Sequence, residues 1–180
     1  MPTVGWVGRD IVRAGRHVKR PQLFVDAVQT IRTRGIPVVA RMYGGQDLVP
    51  YASALSRLPN GGHASSFLVE GDRSVASLQA FYASLDCLVV TCESEPGPLT
   101  IYEALACGVP VVTTATGAAD ACGDAVRVAS EERLASKTRK VLKRRRRLFR
   151  DRGTLAAAVS AFSHEAWAAA SVRLAMELVP

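Results

Sequence analysis

The sequence predicts an α/β fold: a doubly wound, Rossmann-like parallel sheet of about six strands with helices on both faces. Three observations predict it. Short apolar runs alternate with amphipathic segments through the first 130 or so residues, the rhythm of strand–helix units feeding a parallel sheet. Right-handed crossovers make such a sheet doubly wound, with ligands beyond the carboxyl ends of its strands. The loops Gly8-Arg9, Gly44-Gly45, Glu70-Gly71 and Glu93–Gly97 all fall at that end. A length of 180 residues suits one domain, residues 1–180, with its own core.

Each element has a local reason. Thr3-Val4-Gly5-Trp6-Val7 reads as the first strand. Arg20–Arg34 carries Leu23, Phe24, Ala27, Val28 and Ile31 at helical spacing, and Gly35-Ile36-Pro37 breaks it. Pro37–Met42 is a second strand, and Asp47–Leu58 a helix ended by Pro59-Asn60-Gly61-Gly62. Ser66–Val69 is a third strand. Val75–Leu85 is a helix with Leu78, Phe81 and Leu85 on one face, and Cys87–Thr91 is a fourth strand. Pro98 suits the first turn of the next helix, where its missing N–H costs nothing. Leu99, Tyr102, Leu105 and Ala106 are its expected buried face, and Cys107-Gly108 its end. Pro110–Thr114 and a weak Val126–Val128 complete the strands, and two or three helices fill Glu131–Leu178.

Composition narrows the function. No run of ~18 apolar residues and no charged-then-apolar leader occur. The expected location is cytoplasmic, with peripheral contact at a membrane left open. Cys87, Cys92, Cys107 and Cys122 form no CxxC pair, so they read as reduced, mostly buried thiols. The net charge of +7 is local: Lys137–Arg152 holds ten Lys/Arg and one Asp. That run reads as a solvated helix face, or as a contact for anionic lipid headgroups or nucleic-acid phosphates. It lacks the aromatic interleaving of single-strand binders, so no nucleic acid is expected. No GxGxxG follows the first strand and no Walker A sequence occurs, which disfavours a dinucleotide oxidoreductase. His17, His63 and His164 have no obvious catalytic partner in sequence.

The segment Glu93–Val112 is the candidate site. Glu95 precedes a helix N-terminus and Glu103 lies inside the helix. The helix start offers free N–H groups and partial positive charge, so backbone from Gly97 to Thr100 can approach a diphosphate. A carboxylate within the helix suits a ribose diol, and one before it suits a sugar. Spacing alone is equally satisfied by two solvated charges.

Glu95, Glu103, Ala104, Leu105-Ala106-Cys107, Gly108 and Pro110-Val111-Val112 together resemble the donor-site signature of family 4 glycosyltransferases, which have the GT-B architecture. Pro98 stands where that family more often has Gly, and removes one backbone donor. Val7-Gly8-Arg9 followed by Lys19 is similar to the family's Gly-Arg and Lys. The resemblance implies that Arg9 and Lys19 stabilise the leaving nucleotide diphosphate. It implies that Glu95 holds sugar hydroxyls and Glu103 the ribose, neither acting as nucleophile. Gly8, Gly44, Gly45, Gly97, Pro98, Leu99 and Thr100 complete the implied donor-binding set, with Gly44-Gly45 equally readable as a plain turn. Thr116-Gly117-Ala118-Ala119-Asp120 and Phe162–Trp167 resemble two further family segments, each with substitutions. No metal and no cofactor are implied, only a nucleotide-diphosphate sugar as substrate.

The resemblance covers nearly all of the chain and half of such an enzyme. It implies a retaining, metal-independent transferase whose acceptor-binding N-terminal domain is absent here and is supplied in cis or in trans, with little activity from this domain alone. A non-catalytic nucleotide- or partner-binding module docking through the basic helix is the alternative, and half of a nucleotide-sugar epimerase a third.

Overall fold

The computed structural model describes residues 1–10, 12–13, 15–57, 65–69, 75–93, 95, 98–145, 147, 151–163, 165–166 and 168–169. The strands are β1 (Thr3–Gly8), β2 (Val12–Arg13), β3 (Arg16–His17), β4 (Val39–Gly44), β5 (Ser65–Val69), β6 (Cys87–Val90), β7 (Val111–Thr113) and β8 (Val126–Val128). The helices are α1 (Pro21–Thr33), α2 (Val49–Arg57), α3 (Val75–Ala83), α4 (Leu99–Ala106), α5 (Gly117–Ala121), α6 (Glu131–Lys143) and α7 (Arg152–Ala157). Six strands form one sheet in the order β5-β4-β1-β6-β7-β8, every pair parallel. This is the expected doubly wound arrangement. The order reverses between β1 and β6, so the crevice beyond their carboxyl ends is the natural place for a ligand.

Alternation along the strands feeds two cores. Val4, Trp6, Ala40, Met42, Cys87, Val89 and Val112 face one side and pack with Phe24, Val28, Ile31, Leu55, Leu134 and Leu142 from α1, α2 and α6. Tyr43, Leu88, Val90 and Val111 face the other side and pack with Phe81, Tyr82, Ile101, Leu105 and Leu155 from α3, α4 and α7. Arg32 is buried within the first core. It donates to the carbonyls of Val38 at 3.0 and 3.2 Å and of Leu55 at 2.9 Å, clamping α1 to the start of β4 and the end of α2.

Helix α4 departs from expectation on its buried face. Ile101, Ala104 and Leu105 are buried, Tyr102 is half-buried, and Leu99 and Ala106 are exposed. Leu99 is the first helical residue, directed off the sheet before the helix has turned over β6 and β7. Pro98 is the N-cap rather than a residue of the first turn. The C-terminal end is as expected. Gly108 adopts φ 69°, and the N–H of Val109 returns to the carbonyl of Ala104 at 2.8 Å, the bond of a Schellman cap.

The hairpin β2–β3, antiparallel with Val12 opposite His17, was not expected, because its two-residue strands carry no periodicity. The basic run does not form one helix. Helix α6 ends at Lys143 with Arg144 as its C-cap, and Arg152 begins α7. No helix among the described residues is long and apolar enough to cross a membrane. The expected Pro59–Gly62 turn and Glu70-Gly71 loop, His63, Gly97, Leu148, Phe149, His164 and Trp167 lie outside the described residues.

Gly44 shows how tightly the site end is built. A Cβ there would lie 2.0 Å from the Gly8 carbonyl oxygen and 2.6 Å from Leu48 Cδ1. Gly44→Ala should therefore cost about 1–3 kcal/mol through backbone displacement. Urea unfolding checks this, and a variant as stable as wild type contradicts it.

Candidate functional site

Three segments meet beyond the carboxyl ends of β1 and β6: the turn after β1, the hairpin leading to α1, and the loop from Thr91 to Glu95. Thr91 is their junction. Its Oγ1 accepts the indole N–H of Trp6 at 2.9 Å and lies 2.7 and 2.9 Å from the carbonyl oxygens of Lys19 and Arg20. Arg20 answers by donating Nε to the Thr91 carbonyl at 3.3 Å. The Glu93 N–H bonds to the Val18 carbonyl at 2.9 Å. Arg20 sits at the α1 N-cap with φ 44° and ψ 61°, a left-handed conformation that costs a side-chain-bearing residue energy. Its bonds to Thr91 and an ion pair with Glu131 hold it there.

This junction brings Lys19 to Glu95. Lys19 Nζ lies 2.6 Å from Glu95 Oε2, with both side chains largely withdrawn from water. The Cys92 thiol donates to the same oxygen at 3.0 Å. Partial burial opposes ionisation of Glu95, but the Cys92 and Lys19 hydrogen bonds outweigh it and hold the pKa below its ordinary value. Burial, then the bond to Glu95, pushes Cys92 up to about 12, so at neutral pH it remains a protonated donor. The Lys19 stem also passes Gly8, with Cδ 3.4 Å from where a Cβ would stand.

The other nominated residues are placed differently. Arg9 follows β1 and is exposed. Gly44 lies opposite Gly8 in the sheet, and Gly45 caps a short 3-10 turn over Asp47. A side chain at either glycine would meet neighbouring atoms of the chain. Pro98 and Leu99 open α4, and the Thr100 hydroxyl oxygen is buried with no partner among the described residues. Glu103 faces α3, where its Oε2 accepts the hydroxyl of buried Tyr82 at 2.7 Å. Among the described residues, no hydrogen bond links Arg9 or Glu103 to Lys19 or Glu95.

Among the described residues, clefts open at this edge. One, of about 540 Å³, is lined by Arg20, Cys92, Glu93, Thr114, Ser130 and Glu131, among others. The second, of about 630 Å³, is lined by Arg16, His17, Arg20, Tyr51, Glu93 and Glu131, among others. Neither lining includes Arg9, Lys19, Glu95 or Glu103.

Sequence reading missed several contributors. His17 is not solitary: its Nδ1 lies 2.6 Å from Asp10 Oδ1, and Tyr51 donates to Asp10 Oδ2 at 2.7 Å. These partners are 7 and 41 residues apart along the chain, so no local pattern announces them. Cys92, Tyr82 and Thr91 carried no signal beyond their burial patterns. The cations Lys140, Lys143, Arg144 and Arg147 are exposed. Helix α6 starts at the site edge, where Glu131 meets Arg20. Its 13 residues run back along the sheet for about 20 Å, so the basic cluster sits at the opposite end. Among the described residues no group of three His, Cys, Asp or Glu side chains could hold a metal ion.

Two outcomes follow. Thr91→Val leaves the buried Trp6 indole N–H unpaired and should cost about 1–3 kcal/mol in urea unfolding. A change near zero would show that the junction contributes nothing. For Glu95 the native pKa is lowered from 4.5, so the unfolded chain binds more protons as pH drops through that region. The stability from its ionised form is present above the ordinary carboxylate value and lost as pH falls through the native one. Glu95→Gln should therefore be less stable than wild type at neutral pH, with the gap closing in acid. A gap independent of pH would refute it.

Comparison with known proteins places the chain. The family model described as Glycosyl transferases group 1 matches residues 1–144. Among solved structures, sucrose-phosphate synthase from Thermosynechococcus elongatus matches with a TM-score of 0.75 at 24% identity, over 98% of this chain and 45% of that one. That likeness establishes a Rossmann-like GT-B fold, and the chain spans less than half the length of that structure. No curated protein sequence matches. The family match covers most of the sequence, and the chain belongs to the Glycosyl transferases group 1 family.

Proposed function

We propose that this chain is the donor-binding, C-terminal domain of a retaining, metal-independent family 4 glycosyltransferase, acting on a nucleotide-diphosphate sugar. The observation that carries the proposal is the meeting of Lys19 with Glu95 at 2.6 Å beside Gly8, at the point where the strand order reverses.

A diphosphate entering over Gly8 would meet the Lys19 ammonium and the exposed Arg9 guanidinium. It would also meet the N-terminus of α4, where Leu99 and Thr100 offer backbone N–H groups. Negative charge grows on the diphosphate as the glycosidic bond breaks, and these fixed cations stabilise it more in the transition state than before. Glu95 would hold sugar hydroxyls and Glu103 the ribose. A second, acceptor-binding half of the cleft, in cis or in trans, would bind the acceptor and exclude water. The basic end of α6 lies away from this edge, so an anionic membrane touching it would face the back of the donor cleft.

Calorimetry with UDP, GDP and ADP sugars tests the reading. One nucleotide sugar should bind to wild type and lose at least about tenfold in affinity in both Arg9→Ala and Glu103→Ala, as expected for removing a charged hydrogen-bond partner. No binding by wild type to any of them, or binding indifferent to both substitutions, would sink it.

A further inference from the structure

The donor-site reading leaves the buried Cys92 thiol unused. Cys92 follows β6, is 1% exposed, and places its thiol 3.0 Å from Glu95 Oε2. Lys19 occupies the same oxygen. Among the described residues, Glu95 Oε1 has no hydrogen bond. One ammonium cannot serve two anions at full strength. A diphosphate that draws Lys19 toward itself takes away the cation that, among the described residues, is bonded to Glu95.

The thiol stays. The Cys92 backbone is held by hydrogen bonds to the rest of the fold. The Cys92 carbonyl accepts the Thr114 hydroxyl at 2.7 Å, and the next residue's N–H is fixed to Val18. We propose that Cys92 is a positioning residue: its thiol keeps Glu95 Oε2 tied down when Lys19 turns to the diphosphate, leaving Oε1 aimed at a hydroxyl of the nucleotide-bound sugar. This rests on the donor-site reading. It separates two parts of one ligand, because the thiol acts on the sugar through Glu95 and has no role in holding the diphosphate.

The test is calorimetry on the 180-residue chain with UDP, GDP and ADP, and with UDP-glucose, GDP-mannose and ADP-glucose. For the pair that binds, the quantity read is the ratio of sugar-nucleotide to free-nucleotide affinity. Cys92→Ala should lower that ratio roughly three- to tenfold, the loss expected for one hydrogen bond to a charged group from a weak donor. Affinity for the free nucleotide should not change. Cys92→Ser keeps a donor and should keep the ratio. Cys92→Val fills the space without donating and should behave as Cys92→Ala, which covers the case where the smaller variant does not fold.

An unchanged ratio in the apolar variants overturns the proposal. So does an equal loss in Cys92→Ser, or equal weakening of both ligands, which would mark a structural role only. Failure of wild type to bind any nucleotide or nucleotide sugar is a different result. It removes the donor-site reading, and this inference with it.

Discussion

The site end of the molecule depends on the Thr91 hydroxyl. It stands at the carboxyl end of β6, takes the Trp6 indole N–H from β1, and reaches the Lys19 and Arg20 carbonyls before α1. Three segments far apart in the chain are thereby fixed around one oxygen. A buried indole N–H and the carbonyls at a helix entry both need partners once water is excluded. Thr91 supplies them at the crevice where the strand order reverses. Without it the hairpin would lose one of its anchors, alongside the Val18–Glu93 bond and the ion pairs of Arg16, Lys19 and Arg20.

The charges at this edge are arranged as neighbours. Lys19 pairs with Glu95, Arg20 with Glu131, and Arg16 with Glu93. The Arg16–Glu93 pair is exposed and therefore worth little to stability. The Lys19–Glu95 pair is different, because partial burial raises both the cost of leaving either charge alone and the value of satisfying it. A thiol that stays protonated adds a third member without adding charge.

Helix α6 separates two electrostatic ends. Its first turn holds Glu131 and Glu132, and its last turn Lys140 and Lys143, the distribution that a helix dipole favours. Leu134, Ala135, Val141 and Leu142 commit one face to the core with α1. The exposed cations lie on the remaining surface at the far end. The described cations of the basic run are thus set apart from the Lys19–Glu95 cluster.

The fold was legible because its signals are local. Short apolar runs placed all six strands of the sheet, and helical spacing in α1 and α3 and the Gly108 helix end likewise need only a few consecutive residues. The errors were local too: a first-turn residue, Leu99, was assigned to the core by spacing before the helix had rotated over the sheet. The nominated site was legible in part. The sequence by itself determined the strand–helix order, the glycine-bearing strand ends, and the concentration of charge in one run. Only the tertiary structure decided that Lys19 meets Glu95, that Cys92 and Tyr82 hold the two glutamates, that His17 belongs with Asp10, and that the described cations at the end of α6 lie away from the site. Those choices bring together residues dozens of positions apart, where direction and distance are set by how the elements pack, and no local period in a sequence encodes either.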